Sequence, residues 1–138
     1  MQVKINWVSG VAFSGETEGG HKIMMDGSPE VGGQNLGARP METVLIGTGG
    51  CSAIDVVLIL KKARQDVTDC QVIVDADRAT TDPKVFTKIH FHYVVTGNNL
   101  NATHVDRAVK LSAEKYCSAT AMMAKTAAVT FDFALVAA

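Results

Sequence analysis

Residues 40 to 65 read PMETVLIGTGGCSAIDVVLILKKARQ, and this stretch decides the fold. Pro40 suits the first turn of a helix, where its missing N–H is no loss, and no further proline interrupts the segment from Met41 to about Gln65. The stretch predicts one long central helix. At about 100° per residue, the face centred on Cys51 also carries Val44, Gly47, Thr48, Ile54, Asp55 and Leu58, so that face is expected to be mostly buried. Gly47, Gly49 and Gly50 each cost about 1 kcal/mol against alanine inside a helix. Their clustering asks for the close approach of another backbone, either for tight helix packing or for access of a substrate.

Upstream of the helix, residues 2 to 8 alternate, with Val3, Ile5 and Trp7 on one side and Gln2, Lys4 and Asn6 on the other. A second strand over Val11 to Glu16, a Glu18-Gly19-Gly20 turn and a third strand through His21 to Met25 complete an antiparallel meander. Asp26 to Arg39 is rich in glycine and contains Pro29, which makes it a loop; loops of that length are more often functional than short ones. Downstream, Asp69 to Asp77 alternates with Cys70, Val72 and Val74 on one face. A Thr80-Thr81-Asp82-Pro83 turn leads into a long strand from Lys84 to Thr96. Gly97-Asn98-Asn99 ends it, Thr103 with Asp106 resembles a capping box opening a helix to about Tyr116, and Ser118 is placed to cap a short helix through about Lys125. Val129 to Val136 closes as a strand. The order βββ-α-ββ-α-α-β is an α+β pattern without an internal repeat.

The length of 138 residues favours one domain, 1-138, and 47% apolar residues supply a real core with apolar surface left over for a dimer interface. Thirteen basic against fourteen acidic residues give a formal charge of -1, with no run of either sign to attract nucleic acid or anionic lipid. The N-terminus lacks an apolar signal core, and nowhere do about 18 apolar residues run unbroken. A cytoplasmic protein with no nucleic-acid or membrane role is expected. Three cysteines are an odd number, which argues against a structural disulfide framework and leaves room for redox use.

Cys51 and Cys117 lie 66 positions apart (117 minus 51), which excludes a compact zinc knuckle or a local C-x-x-C loop. Any partnership between them must be made by the fold. A reactive thiol must be substantially ionised, through a cation, a helix N-terminus or hydrogen bonds. Cys117, just ahead of a short helix, has such help; Cys51, inside a helix, has none from a helix end, and Asp55 one turn later opposes its ionisation.

The run Pro40-Met41-Glu42-Thr43-Val44-Leu45-Ile46-Gly47-Thr48-Gly49-Gly50-Cys51, with Glu114-Lys115-Tyr116-Cys117-Ser118, resembles the osmotically inducible protein C and organic hydroperoxide resistance (OsmC/Ohr) family. The likeness covers almost the whole chain in order of elements and is greatest to one small bacterial branch. It implies an OsmC-like fold, in which antiparallel sheets wrap around a long central helix in an intertwined homodimer, with two sites at the subunit interface. It also implies reduction of organic or fatty-acid hydroperoxides, with Cys51 as the peroxidatic thiol, Cys117 as the resolving thiol, and a dithiol such as a lipoyl group as reductant. No cofactor or metal is implied.

Two positions depart from the family's peroxidases. Their activating arginine sits in the meander or in the loop before the central helix; Glu16 to Lys22 contains none, and Arg39 is the only arginine before Cys51. Arg39 is a weak candidate, acting from a neighbouring subunit or simply solvated, and Lys22 cannot form a bidentate clamp to a carboxylate. The family's glutamate directly follows the proline, whereas here Met41 occupies that position and the acid is Glu42. At about 100° per residue, Glu42 points roughly 180° from Cys51, so it reads better as an acid favoured by the helix dipole.

His90 and His92 share one strand face and could ligate a metal with His21, His104 or Cys70, but no third ligand is evident, and solvent-facing histidines are the commoner reading. Cys70 reads as a small buried apolar residue. Tyr116, beside Cys117, either orients a substrate or packs. The alternative to peroxide reduction is a non-catalytic protein that binds a small hydrophobic or thiol-reactive ligand in the same pocket.

Overall fold

A computed structural model describes residues 1–138. The elements are β1 (Val3–Ser9), β2 (Ala12–Thr17), β3 (Lys22–Met25), α1 (Pro40–Lys62), β4 (Asp66–Arg78), β5 (Phe86–Asn98), α2 (Ala102–Leu111), α3 (Ser118–Met123) and β6 (Ala128–Ala137). Their order is the one read from the sequence. The chain clusters into two compact units, Met1–Ile46 and Gly47–Ala138.

In the first unit β1, β2 and β3 form an antiparallel meander, with Trp7 opposite Phe13 and Phe13 opposite Met25, and Ile5 opposite Gly15 and Gly15 opposite Ile23. Residues directly opposite share a face, so Ile5, Trp7, Phe13 and Ile23 form one apolar surface, and all four are exposed. Gly10 turns the first hairpin at φ +51° and Gly20 the second at φ +84°, conformations glycine adopts without a Cβ penalty. The segment after β3 contains a 3₁₀ turn at Pro29–Val31 and is held by Asp26, which is 2% exposed. The Asp26 carboxylate accepts the N–H groups of Gly27 (2.8 Å), Gln34 (2.9 Å) and Leu36 (3.1 Å). The bonds from Gln34 and Leu36 are the main reason its carboxyl is held below the ordinary aspartate range.

In the second unit β5 lies between β4 and β6, antiparallel to β4 and parallel to β6. Being central, β5 carries the core: Ile89, Phe91, Tyr93 and Val95 are essentially inaccessible, as are Val56 and Leu60 of α1 and Val105, Ala108 and Val109 of α2. The alternation in β4 is as read, with Cys70, Val72 and Val74 half-buried on one side.

The structure corrects several expectations. The buried stripe of α1 is Thr48, Gly49, Ser52, Val56 and Leu60, whereas Val44, Gly47, Ile54 and Leu58 on the predicted face are exposed and Cys51 is half-buried. A helix apolar around its whole circumference carries no periodic signal to say which side meets the sheet. Of the three α1 glycines, only Gly49 is closely approached, and by a side chain: a Cβ there would meet Val74 Cγ2 at 3.1 Å, while Gly47 and Gly50 face open space.

Thr103 does not begin α2. Asn101 caps it, its Oδ1 accepting the Thr103 N–H at 2.9 Å, and Asp106 instead pairs with Lys110 one turn on at 2.9 Å. The helix predicted to run to Tyr116 gives way after Leu111 to a π-helical turn, Ser112–Tyr116. Ser118 does not cap α3; Cys117 does.

Candidate functional site

Cys51 and Cys117 are brought together. Cys51 projects half-exposed from the middle of α1, and Cys117, 2% exposed, follows the π turn with its sulfur near enough to the Cys51 thiol for the two to influence one another's ionisation. The extra residue that a π turn accommodates changes the direction of the chain, and such turns recur at functional sites. Cys117 then leaves the helical region (φ −74°, ψ 103°) and offers its sulfur to α3. That sulfur accepts the Thr120 N–H at 3.3 Å and the Thr120 hydroxyl at 3.0 Å, and lies 3.9 Å from the Thr48 carbonyl. Burial pushes the Cys117 thiol up, the Thr120 hydroxyl and N–H pull it back, and the neighbouring Cys51 adds to the rise. The two thiols therefore differ: one accessible, one buried and held.

Beside them lies a hydroxyl network that the sequence did not disclose. Ser52, Tyr93 and Ser112 are all fully buried. Ser52 Oγ hydrogen-bonds the Tyr93 hydroxyl, and Ser112 Oγ lies 2.8 Å from Ser52 Oγ, 3.1 Å from the Ser52 carbonyl and 3.4 Å from Asp55 Oδ2. Burial is the main reason the Tyr93 hydroxyl is pushed above the ordinary tyrosine range. These bonds tie α1 to β5 and to the turn that carries Cys117, with Ser52 directly following Cys51. The sequence signal was weak: a serine one step from the thiol.

A cavity of about 450 Å³ opens one turn beyond Cys51, between the stripe Asp55, Leu58, Ile59, Lys62 of α1 and the stripe His104, Arg107, Leu111 of α2. Tyr116 also borders it. A second cavity, of about 380 Å³, reaches Cys117, with Thr120, Val129 and Phe131 among its walls.

The weak candidates make local bonds. Glu42 Oε1 accepts the Arg39 N–H at 2.8 Å, and the Arg39 guanidinium donates to the Gly37 carbonyl at 3.3 Å. Glu42 thus satisfies a backbone donor at the N-terminus of α1, as the dipole reading expects. Cys70 is half-buried, and burial raises its thiol pKa. His90 and His92 project from the other side of β5 onto one carboxylate: Asp132 Oδ1 lies 3.1 Å from His90 Nε2 and 2.6 Å from His92 Nδ1. No group of three or more metal-ligating side chains forms.

A meander, a long thiol-bearing helix and a three-stranded sheet with a second cysteine at a helix cap define an α+β protein of the OsmC type. The chain belongs to that family, whose model, described as OsmC-like protein, matches residues 32–132 and so spans both units. It is 48% identical over 138 residues to Protein YhfA of Escherichia coli K12, covering 100% of both chains. A solved protein of Aquifex aeolicus VF5 is 32% identical with a TM-score of 0.81, over 97% of this chain and 96% of that one. A Legionella pneumophila structure named an organic hydroperoxide resistance protein OsmC shares the fold at 18% identity and a TM-score of 0.72, over 97% of each chain. By length and composition α1 is apolar enough to cross a membrane, with a mean hydropathy of 1.9, although it carries Asp55 within it.

Proposed function

We propose that the 138 residues act as one OsmC-like domain that reduces organic or fatty-acid hydroperoxides in a cytoplasmic homodimer. The observation that carries this reading is that the fold brings a half-exposed Cys51 beside a buried Cys117 whose sulfur caps α3. In the proposed cycle the Cys51 thiolate attacks the terminal peroxide oxygen. An S–O bond forms, the O–O bond breaks, and the alkoxide leaves as the alcohol after taking a proton. Cys117 then attacks the sulfenic sulfur, releasing water and forming the disulfide. A dithiol of the lipoyl type returns both thiols by exchange, becoming a disulfide itself.

Accessibility supports these roles: the peroxide must reach the first thiol, whereas the second has only to reach the first. The homodimer is supported by the exposed apolar face of the meander, where Ile5, Trp7, Phe13 and Ile23 cluster rather than scatter, and separately by Ile54 exposed on α1. Glu42, engaged with the Arg39 N–H, leaves the family's arginine–glutamate clamp without its acid. That observation favours the second reading, a non-catalytic protein binding a small hydrophobic or thiol-reactive ligand in the same pocket.

The test is peroxide consumption by reduced protein with cumene hydroperoxide and dihydrolipoamide. Wild type is expected to turn over, Cys51→Ser to lose turnover, and Cys117→Ser to consume one equivalent and stop. Turnover unchanged in Cys51→Ser would refute the peroxidase reading. No turnover in wild type, with Cys51 still alkylated slowly at neutral pH, would favour the non-catalytic reading instead.

A further inference from the structure

We infer that Ser112 is the positioning residue of the thiol pair: its buried hydroxyl, seated on Ser52, holds the π turn that sets Cys117 beside Cys51. The inference rests on the pairing of the two thiols in the proposed function and adds the residue that maintains it. It does not depend on what oxidises them.

The turn Ser112–Tyr116 reads Ser-Ala-Glu-Lys-Tyr. Ala, Glu and Lys are among the best helix formers, and the segment contains neither glycine nor proline, so local preference favours a simple continuation of α2. Instead the Ser112 carbonyl accepts the N–H of Cys117, five residues on, at 2.9 Å, the wider closure of a π turn. Something outside the turn must hold it. Of its five side chains only that of Ser112 is buried; Ala113 is half-buried, and Glu114, Lys115 and Tyr116 are exposed. A turn formed against its local preference, with one buried side chain, is held at that side chain.

Ser112 grips α1 at the residue that follows Cys51. Its Oγ lies 2.8 Å from Ser52 Oγ, 3.1 Å from the Ser52 carbonyl and 3.4 Å from Asp55 Oδ2. Each hydroxyl has one proton to donate. The order that leaves none unused runs from Tyr93 to Ser52, from Ser52 to Ser112, and from Ser112 to the Ser52 carbonyl or to Asp55. Ser112 is therefore a two-bond link between the cysteines: its side chain holds the neighbour of Cys51, and its carbonyl holds the N–H of Cys117. Beyond the turn, the Cys117 sulfur is fixed by the N–H and hydroxyl of Thr120 and lies 3.9 Å from the carbonyl of Thr48, about one helical turn before Cys51. With both ends of the turn fixed, disulfide formation has little further ordering to offset.

The experiment measures the equilibrium of the pair with glutathione, in a Cys70→Ser background so that only Cys51 and Cys117 report. The two thiols give up two protons and two electrons, their S–S bond forms, and glutathione disulfide is cleaved to two glutathione thiols. Alkylation and mass spectrometry across a series of glutathione buffers give the equilibrium constant. Ser112→Ala removes the whole grip and is expected to lower that constant about fivefold or more, the equivalent of one net hydrogen bond. Ser52→Ala leaves Ser112 the Ser52 carbonyl and Asp55 and should lower it less. Tyr93→Phe leaves Ser112 on Ser52 and should keep it within about twofold of the parent.

Stability ranks the same variants differently. Ser52→Ala, which orphans the Tyr93 hydroxyl, should be the most destabilised in urea, so a merely structural role would give it the largest fall. Constants that follow the order of the urea midpoints would overturn the inference, as would a constant unchanged in Ser112→Ala. Peroxide takes no part in this measurement. A wild type that forms the disulfide without consuming cumene hydroperoxide would refute the proposed function and leave the role of Ser112 standing. Peroxide consumption by wild type, with a glutathione equilibrium indifferent to Ser112→Ala, would refute this inference alone.

Discussion

Replacing Ser52 by alanine should destabilise the protein through a residue other than the one replaced. Ser112 retains the Ser52 carbonyl at 3.1 Å and Asp55 Oδ2 at 3.4 Å after the change, so it keeps acceptors. Tyr93 does not: Ser52 Oγ is its hydrogen-bond partner, and the residue is fully buried. An orphaned buried hydroxyl costs about 1–3 kcal/mol, against about 1 kcal/mol for a hydrogen bond removed cleanly with its donor. Ser52→Ala is therefore expected to cost about 2 kcal/mol and Tyr93→Phe about 1 kcal/mol, since in the latter Ser52 still holds Ser112. The double variant removes the orphan and should cost about 1–2 kcal/mol, less than the sum, a coupling within the range seen for residues in one network. Urea unfolding at a single protein concentration checks this, because an assembly makes apparent stability concentration-dependent. The midpoint should move while the slope stays constant. In thermal melts 2 kcal/mol corresponds to roughly 6–10 °C for a chain of this length. Strict additivity of the two single changes would refute the reasoning, since it would mean that Tyr93 and Ser52 do not depend on one another.

Thr120→Val removes the hydroxyl that donates to Cys117 at 3.0 Å and leaves the N–H donor; it should raise the Cys117 pKa further and slow formation of the Cys51–Cys117 disulfide, read by thiol quench and mass spectrometry of the peroxide-treated protein. The pH dependence of stability should carry a contribution from Asp26. Its folded pKa is lowered from 3.8, so its contribution is complete above the ordinary carboxylate range and lost as pH falls through the lowered value; urea midpoints at pH 5 and pH 3 should differ more in wild type than in Asp26→Asn. Ile5→Lys places a charge on the exposed apolar face of the meander and should shift sedimentation from dimer to monomer if that face is the subunit interface, whereas an unchanged sedimentation coefficient would assign the interface elsewhere.

The parts of this fold that were legible are those in which a local signal and the tertiary outcome coincide. Pro40 marks the first residue of α1 because its missing N–H costs nothing there. Alternation in β1 and β4 was readable because each strand has two chemically different sides. Where a helix is apolar on every side, local chemistry stops deciding. The face of α1 that meets the sheet is set by Gly49 fitting beneath Val74 and Ser52 reaching Tyr93, contacts 25 and 41 positions away in sequence (74 minus 49, 93 minus 52). No window along the chain contains such a pair.

The caps failed for a related reason. Thr103 and Ser118 are good capping residues by type, but the positions were taken by Asn101 and Cys117, because the entry of each helix is fixed by what precedes it: the Gln65 anchor on Asn101 in one case and the π turn in the other. The second case bears on the chemistry. A serine cap would have left the Cys117 sulfur without its bond to the Thr120 N–H at the entry of α3. Capping the helix with its own sulfur buries Cys117, fills its acceptor capacity with the N–H and hydroxyl of Thr120, and turns it toward Cys51. The asymmetry between the two thiols thus follows from a one-residue difference in where a six-residue helix begins.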